Sequence, residues 1–427
     1  MRVKLPPVHE SWLPKEHALY RPRHGERQRT ALVSALIFFC VPVLLLIVGV
    51  KPEAFENRKL ADFPAGWNFF GGLDRWATDH TPLRKQAVAT ERWISKEIFG
   101  ETPKIGKKPA PIGPVPVPAP QTPTTTRDPS LDGPEPSAFA EVIEGKNDWL
   151  YYGFDVKGAC QPTRSMDEVI GQLRKLRAAV ESSGRKFVFV VAPNKTTMVP
   201  EFLPARYFGK DCAAKARDAF WQRIGPEAGA IDLRPGLDAA KERTKAPVYS
   251  KFDTHWTHDG GVVLTRAIAE NIKPGVSTSW KVTDGRNVQL PGDLPPLLGE
   301  QNTVTLRSYK IAPDGISVAT RPVPPSPTEP VHMTQSTGTG IIGGKVGMLG
   351  DSFTFYVGQY VVAPFSDITL QNSDRVPQDP TKVGAMLADK DVVVFEAAER
   401  SLVGGVNPLL DQGVIDRIAA ELAKRPK

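Results

Sequence analysis

The stretch "KFVFVVAP" at 186–193 is apolar without alternation, and it follows "MDEVIGQLRKLRAAVESSG" at 166–184, where apolar residues recur at helical spacing up to a glycine. A helix stopped by Gly184 and feeding a strand buried on both faces satisfies both periods. Short apolar runs of the same kind recur at "GAIDL" (229–233), "KVGMLG" (345–350), "DITL" (367–370) and "DVVVFEA" (391–397). Helices are predicted between them over 213–224, 259–272, 353–363 and 381–388, with a last one over 407–424. Strands alternating with helices predict an α/β domain whose mostly parallel sheet is covered on both faces. Between 276 and 345 the pattern breaks into Thr-, Val- and Pro-rich pieces such as "NTVTLRSY" and "GISVATRPV", which read as a β-containing insertion.

Upstream the pattern is different. "ALVSALIFFCVPVLLLIVGV", residues 31–50, carries no charge over a length that spans a bilayer core as a helix. The run is too long for a cleaved signal peptide and is followed by "KPEAFENRK" rather than a small-residue cleavage site, so a retained transmembrane helix is predicted. Arg2, Lys4, Lys15, Arg21, Arg23, Arg27 and Arg29 precede it against Glu10, Glu16 and Glu26, which keeps the amino terminus cytoplasmic and everything after Val50 outside. The predicted layout is a basic tail at 1–30, the membrane helix at 31–50, a helical lead-in at 51–102 and a Pro-rich extended insert at 103–138. A catalytic domain follows at 139–427, with the insertion at 276–345 inside it. The expected location is a single-pass inner-membrane protein with its domain in the periplasm or outside the cell.

Composition changes this picture little. Of the 41 prolines, many fall in the 103–138 insert, and much of the +7 formal charge lies ahead of the apolar run. Elsewhere charges are mixed, with no basic stripe interleaved with aromatics, so nucleic-acid binding is not expected. Cys40 falls inside the apolar run, leaving Cys160 and Cys212 together in an oxidising compartment. They either pair or remain two buried thiols, since sequence does not give the Cα separation.

Two segments carry candidate chemistry. In "VGMLGDSFTFYVG" an apolar strand ends at Gly350, Asp351 and Ser352, and a helix is predicted to begin at once. Ser352 then sits at the carboxyl edge of a parallel sheet, where α/β sites form, beside helix-terminal N–H donors suited to an oxyanion. A serine hydroxyl needs a base, and the base needs an orienting acceptor on its other ring nitrogen. "KFDTHWTHDG" at 251–260 offers His255 and Asp253, which an extended backbone would project the same way, with Thr254 pointing aside. His258 and Asp259 fit the start of the next helix, and Trp256 a pocket wall or plain core. Asp253, His255 and His258 as a zinc set lack helical ligand spacing and a further ligand, so neither a metal nor another cofactor is expected.

Together, "GDSF" (350–353), "DTHWT" (253–257), "APNKTTMVPEFLP" (192–204), "WLYY" (149–152), "GDLPPLLG" (292–299) and "FEAAERSL" (395–402) resemble the AlgJ/AlgX-type group of SGNH-hydrolase-like polysaccharide O-acetyltransferases. "ENRKLADFP" (56–64) and "DHTPLR" (79–84) are similar to that group's lead-in, whereas the Pro-rich insert is not. The resemblance implies an SGNH-type three-layer sandwich with Ser352 as nucleophile, His255 as base and Asp253 as orienter. It further implies a polysaccharide acceptor and an acetyl group delivered by a membrane-bound O-acyltransferase. The same three residues would equally serve a carbohydrate acetylesterase, and a chain that kept only the fold would be a glycan-binding or assembly protein. Asn194 and Lys195 follow a strand end, where they either reach the same cleft as Ser352 or form a capped turn, and Arg400 at another strand edge either binds substrate or pairs with Glu399 or Glu396, a structural ion pair being its expected role.

Overall fold

The computed structural model describes residues 26–50, 60–64, 69–83, 86–87, 90, 93–94 and 139–427. The basic tail up to residue 25, most of the lead-in and the Pro-rich insert at 103–138 lie outside the described residues. The chain divides into two units, 1–91 and 92–427. In the first, Glu26–Ile47 is helical, with Leu32, Leu36 and Phe39 exposed. Among the described residues no helix is long and apolar enough to cross a membrane, and several side chains of the run 31–50 lie outside them. A second helix, Phe69–His80, sets Trp76 edge-on against Phe63 at 5.1 Å and stacks it on His80 at 4.8 Å. Asp79 there accepts a hydrogen bond from the Ala61 amide at 3.0 Å.

The second unit is an α/β sandwich. Its strands are β1 (Val142–Glu144), β2 (Leu150–Tyr152), β3 (Lys186–Ala192), β4 (Ala230–Asp232), β5 (Lys281–Pro291), β6 (Thr303–Ala312), β7 (Val331–Thr334), β8 (Ile342–Gly350), β9 (Phe365–Asn372) and β10 (Val392–Ala398). Six of them form one sheet in the order β4-β3-β10-β8-β9-β7. Every neighbour pair is parallel except β7 against β9. Side-chain alternation then sorts each strand between two cores. Val188, Val190 and Ala192 of β3 face one, together with Leu264 and Ile268 of the helix His258–Ile272. Phe189 and Val191 face the other, with Leu173 and Leu176 of Met166–Ser182 and Ile418 and Leu422 of Gln412–Ala423. All five apolar runs read as strands are strands of this sheet.

Several expectations need correction. The insertion is narrower than 276–345: β5 and β6 form a separate antiparallel hairpin, but β7 belongs to the main sheet as its antiparallel edge and β8 begins at Ile342. The helix expected over 353–363 is two short pieces, Ser352–Tyr356 and Gly358–Val361, broken at Val357. The last helix starts at Gln412 because Asp411 caps it, and Pro408–Leu410 before it is a 3-10 turn. A further helix, Arg234–Thr244, was not predicted. Cys160 and Cys212 form a disulfide with Cα atoms 5.4 Å apart, tying the helix Phe154–Cys160 to Lys210–Ala228.

Candidate active site

Parallel strands deliver their carboxyl ends to one edge of the sheet, and at that edge the chain order reverses around β10 and β8, the position where α/β proteins form clefts. Ser352 emerges there from β8. Its turn is fixed by the Asp351 carboxylate, which accepts hydrogen bonds from the amides of Phe353 at 2.9 Å and Ala398 at 2.7 Å. Glu396, buried on β10, accepts from the Asp351 amide at 3.2 Å and the Thr354 hydroxyl at 2.7 Å. Burial, and then the charge of Asp351, raise the Glu396 carboxyl well above its ordinary range. Ser352 itself is exposed, while Phe353, Thr354 and Phe355 are buried. A five-residue helix aligns few peptide dipoles, and the Phe353 amide is already bonded to Asp351. The helix-terminal contribution expected from the sequence is therefore small.

His255 meets Ser352 from the other side of the edge. Its Nε2 lies 2.8 Å from the Ser352 hydroxyl oxygen, and its Nδ1 lies 2.7 Å from Asp253 Oδ1. A carboxylate only accepts, so Nδ1 carries the proton and Nε2 is free to take one from the serine. The Asp253–His255 contact does not come from an extended strand. Residues 254 and 255 form a bend, and the same Asp253 oxygen accepts from the His255 backbone amide at 2.8 Å, an Asx turn that closes the i, i+2 pair locally. The imidazole is stacked on Tyr356 with centroids 4.9 Å apart. Burial disfavours the imidazolium, but the charges of Asp253 and Asp293 outweigh it and raise the His255 pKa. Burial likewise opposes ionisation of Asp253, yet His255 and Lys195 bring its pKa down overall.

The structure thus brings Ser352, His255 and Asp253 into one hydrogen-bonded line. The other polar residues of the "HWTHDG" segment turn inward to structural partners. Trp256 is buried, its indole N–H donating to the Phe353 carbonyl at 3.2 Å. His258 Nδ1 lies 3.0 Å from the Tyr360 hydroxyl, and Asp259 accepts from Tyr309 at 2.6 Å. His258 therefore joins no ligand set with Asp253 and His255. Ligand atoms of Asp253, His255 and Asp293 lie within 4.8 Å of one another, and in this structure they are hydrogen-bonded, Asp253 to His255 and Asp293 to Thr254.

Lys195 supports the site from behind Asp253, and Asp293 is a supporting residue that the sequence reading missed. Lys195 is buried, with its ammonium donating to the carbonyls of Leu150, Lys251 and Asp253 at 2.6, 2.9 and 3.1 Å. It also lies over the rings of Trp149 and Tyr151 at 5.0 and 5.1 Å. Burial pulls its pKa down to about 7 against the upward effect of nearby Asp253. Thr254 does not point idly aside, for its amide and hydroxyl donate to Asp293 at 2.7 and 2.5 Å. Arg400 lies over the Phe353 ring at 4.9 Å and 3.8 Å from Asp155, so its ion-pair partner is neither of the expected Glu399 and Glu396. Asn194 is the expected turn residue, its amide donating to Glu399 at 2.8 Å and its side-chain oxygen accepting from the Arg400 amide at 3.1 Å.

Residues 142–327 match the family described as "SGNH hydrolase-like domain, acetyltransferase AlgX". The matched region contains Asp253, His255 and Asp293 and ends before Ser352. The chain is similar to the probable alginate O-acetylase AlgJ of Pseudomonas putida, 28% identical over 134 residues, which is 31% of this chain and 34% of that protein. The match thus spans about a third of the relative's length. Among solved structures, the O-acetyltransferase domain of Pseudomonas putida AlgJ is similar over 65% of this chain and 98% of its own, at 19% identity and a TM-score of 0.43. Pseudomonas aeruginosa AlgX is similar over 64% of this chain and 67% of its own, at 18% identity and a TM-score of 0.42.

Proposed function

We propose that the chain, whose residues 142–327 match the SGNH hydrolase-like domain of the AlgX acetyltransferase family, is an O-acetyltransferase that moves an acetyl group to a polysaccharide hydroxyl through Ser352. The carrying observation is the 2.8 Å contact between His255 Nε2 and an exposed Ser352 hydroxyl. In this reading Ser352 Oγ attacks the carbonyl carbon of the acetyl donor while its proton passes to Nε2. The imidazolium, paired with Asp253, then protonates the departing donor group and an acetyl ester remains on Ser352. A sugar hydroxyl next gives its proton to Nε2 and attacks the same carbon, and Ser352 leaves with that proton.

The segment 31–50 serves as a membrane anchor that holds the domain outside the cytoplasm, in the periplasm or at the cell surface. Acetyl-CoA is not expected there, so the acetyl group is delivered by a membrane-bound O-acyltransferase, and the acceptor is an exported polysaccharide. The names of the similar proteins support an alginate-like acceptor. The test incubates the protein with an activated acetyl ester and an oligosaccharide. Mass spectrometry should find acetyl on Ser352 and then on sugar, and neither with Ser352→Ala. Acetate release without acetylated sugar would instead assign an esterase, and an unlabelled Ser352 would remove the enzyme reading.

A further inference from the structure

The turn between β5 and β6 returns to the site. Gly292 lies so close to the Phe252 carbonyl that a side chain there would run into it, and the Leu294 amide donates to that carbonyl at 3.2 Å. Leu294 and Leu298 are buried against Val142 and Leu150. Between these contacts stands Asp293. One of its oxygens accepts from the Thr254 amide at 2.7 Å, and the other accepts from the Thr254 hydroxyl at 2.5 Å while lying 3.5 Å from His255 Nδ1. Thr254, the residue between Asp253 and His255, is therefore gripped twice by a carboxylate from the insertion.

We propose that Asp293 is a second carboxylate of the site, a positioning residue that holds the Asp253–His255 turn through Thr254 and adds its charge behind the imidazole. The inference rests on the acyl-transfer reading above. Bonded at both oxygens and half-buried, Asp293 is poorly placed to leave. Two carboxylates on one side of the ring are a stronger field than one, and a group at hydrogen-bond range of the base's own turn controls its orientation. The other groups facing His255 are Asp253, the Ser352 hydroxyl, the Tyr356 ring and Arg400, whose charge opposes that of the two acids. Burial and the charge of Asp253 raise the Asp293 pKa, so its contribution to the field is fullest toward higher pH.

The test is the rate of acetylation by an activated acetyl ester across pH, for the parent and for Asp293→Asn. Loss of one negative charge lowers the His255 pKa, so the base is available at lower pH and the acidic limb should move down. The plateau rate should fall roughly 10- to 100-fold as the turn loosens. An acidic limb and plateau that both coincide with the parent overturn the inference alone, whereas a parent that is never acetylated overturns the transfer reading with it. Should Asp293→Asn not fold, Thr254→Val removes one of the two grips and leaves the charge. It is expected to slow acetylation several-fold without moving the limb, and an unchanged rate overturns the inference.

Discussion

Ser352 stands at the end of β8, an interior strand of the sheet with β10 on one side and β9 on the other. His255 stands on a bend whose nearest sheet-like contact is a single bridge between Tyr249 and Trp256. The first receives its position from the backbone ladders of β8, with the Asp351 and Glu396 carboxylates fixing only the short turn beyond them. The second receives it from side chains, namely the Asp253 carboxylate, the Lys195 ammonium, the Asp293 carboxylate and the Tyr356 ring. A ladder shares its load over many equivalent bonds, while a set of distinct anchors fails one anchor at a time. The serine side should therefore tolerate conservative change beneath it, and the histidine side should not.

The largest effect is expected at Asp253→Asn. The amide no longer fixes the Nδ1–H tautomer, and acetylation of Ser352 should fall roughly 10³- to 10⁴-fold while thermal unfolding changes little. A variant as fast as the parent would show that His255 is held without Asp253. Next comes a paired substitution, one on each side. Lys195→Met leaves three carbonyls without their donor and should cost about 3 kcal/mol or more in urea unfolding. Glu396→Gln replaces a carboxyl that burial favours in its neutral form, and should stay within about 1 kcal/mol. Equal losses from the two would erase the contrast between the arms.

The smallest effect lies under both arms. Burial raises Glu399 to about 7 and Asp155 to about 6, from 4.5 and 3.8. Across this window the folded state holds protons that the unfolded chain has already released. Stability should therefore fall as pH rises from about 4.5 to about 7. Melting temperatures measured over that range should slope downward in the parent and less steeply in Glu399→Gln, and identical slopes would remove Glu399 from the effect.

The strands were legible because a strand buried on both faces has to be a continuous apolar run, and five such runs stood between helical patterns. The edge strand β7 was not, since four residues with alternate exposure look like the Thr/Val-rich hairpin beside it. At the site, Ser352, His255 and Asp253 could be proposed as partners because two of them are neighbours in the chain and the third ends a strand. That Asp253 reaches His255 through an Asx turn was missed, because the pair has the same i, i+2 spacing in a strand. Lys195 was legible only as a strand-end residue that would reach the cleft or cap a turn, and Asp293 left no such trace. A lysine after "PN" and an aspartate after glycine read as turn residues, and only tertiary contact gives the one three carbonyls and the other a threonine.

The β5–β6 hairpin is rooted in the core by Trp280 and Ile311 and fastened at its turn by Leu294 and Leu298, while much of β5 between is in contact with solvent. At about 3.4 Å per residue its eleven-residue strand is a rod of roughly 35 Å. The rod sets the distance at which Asp293 arrives, and strand pleating means that adding or deleting one residue would turn the tip over. A change of two residues in both strands would keep the tip's facing but displace it by about 7 Å, so the span is fixed in length and only the side chains of its solvent-facing middle are free to drift.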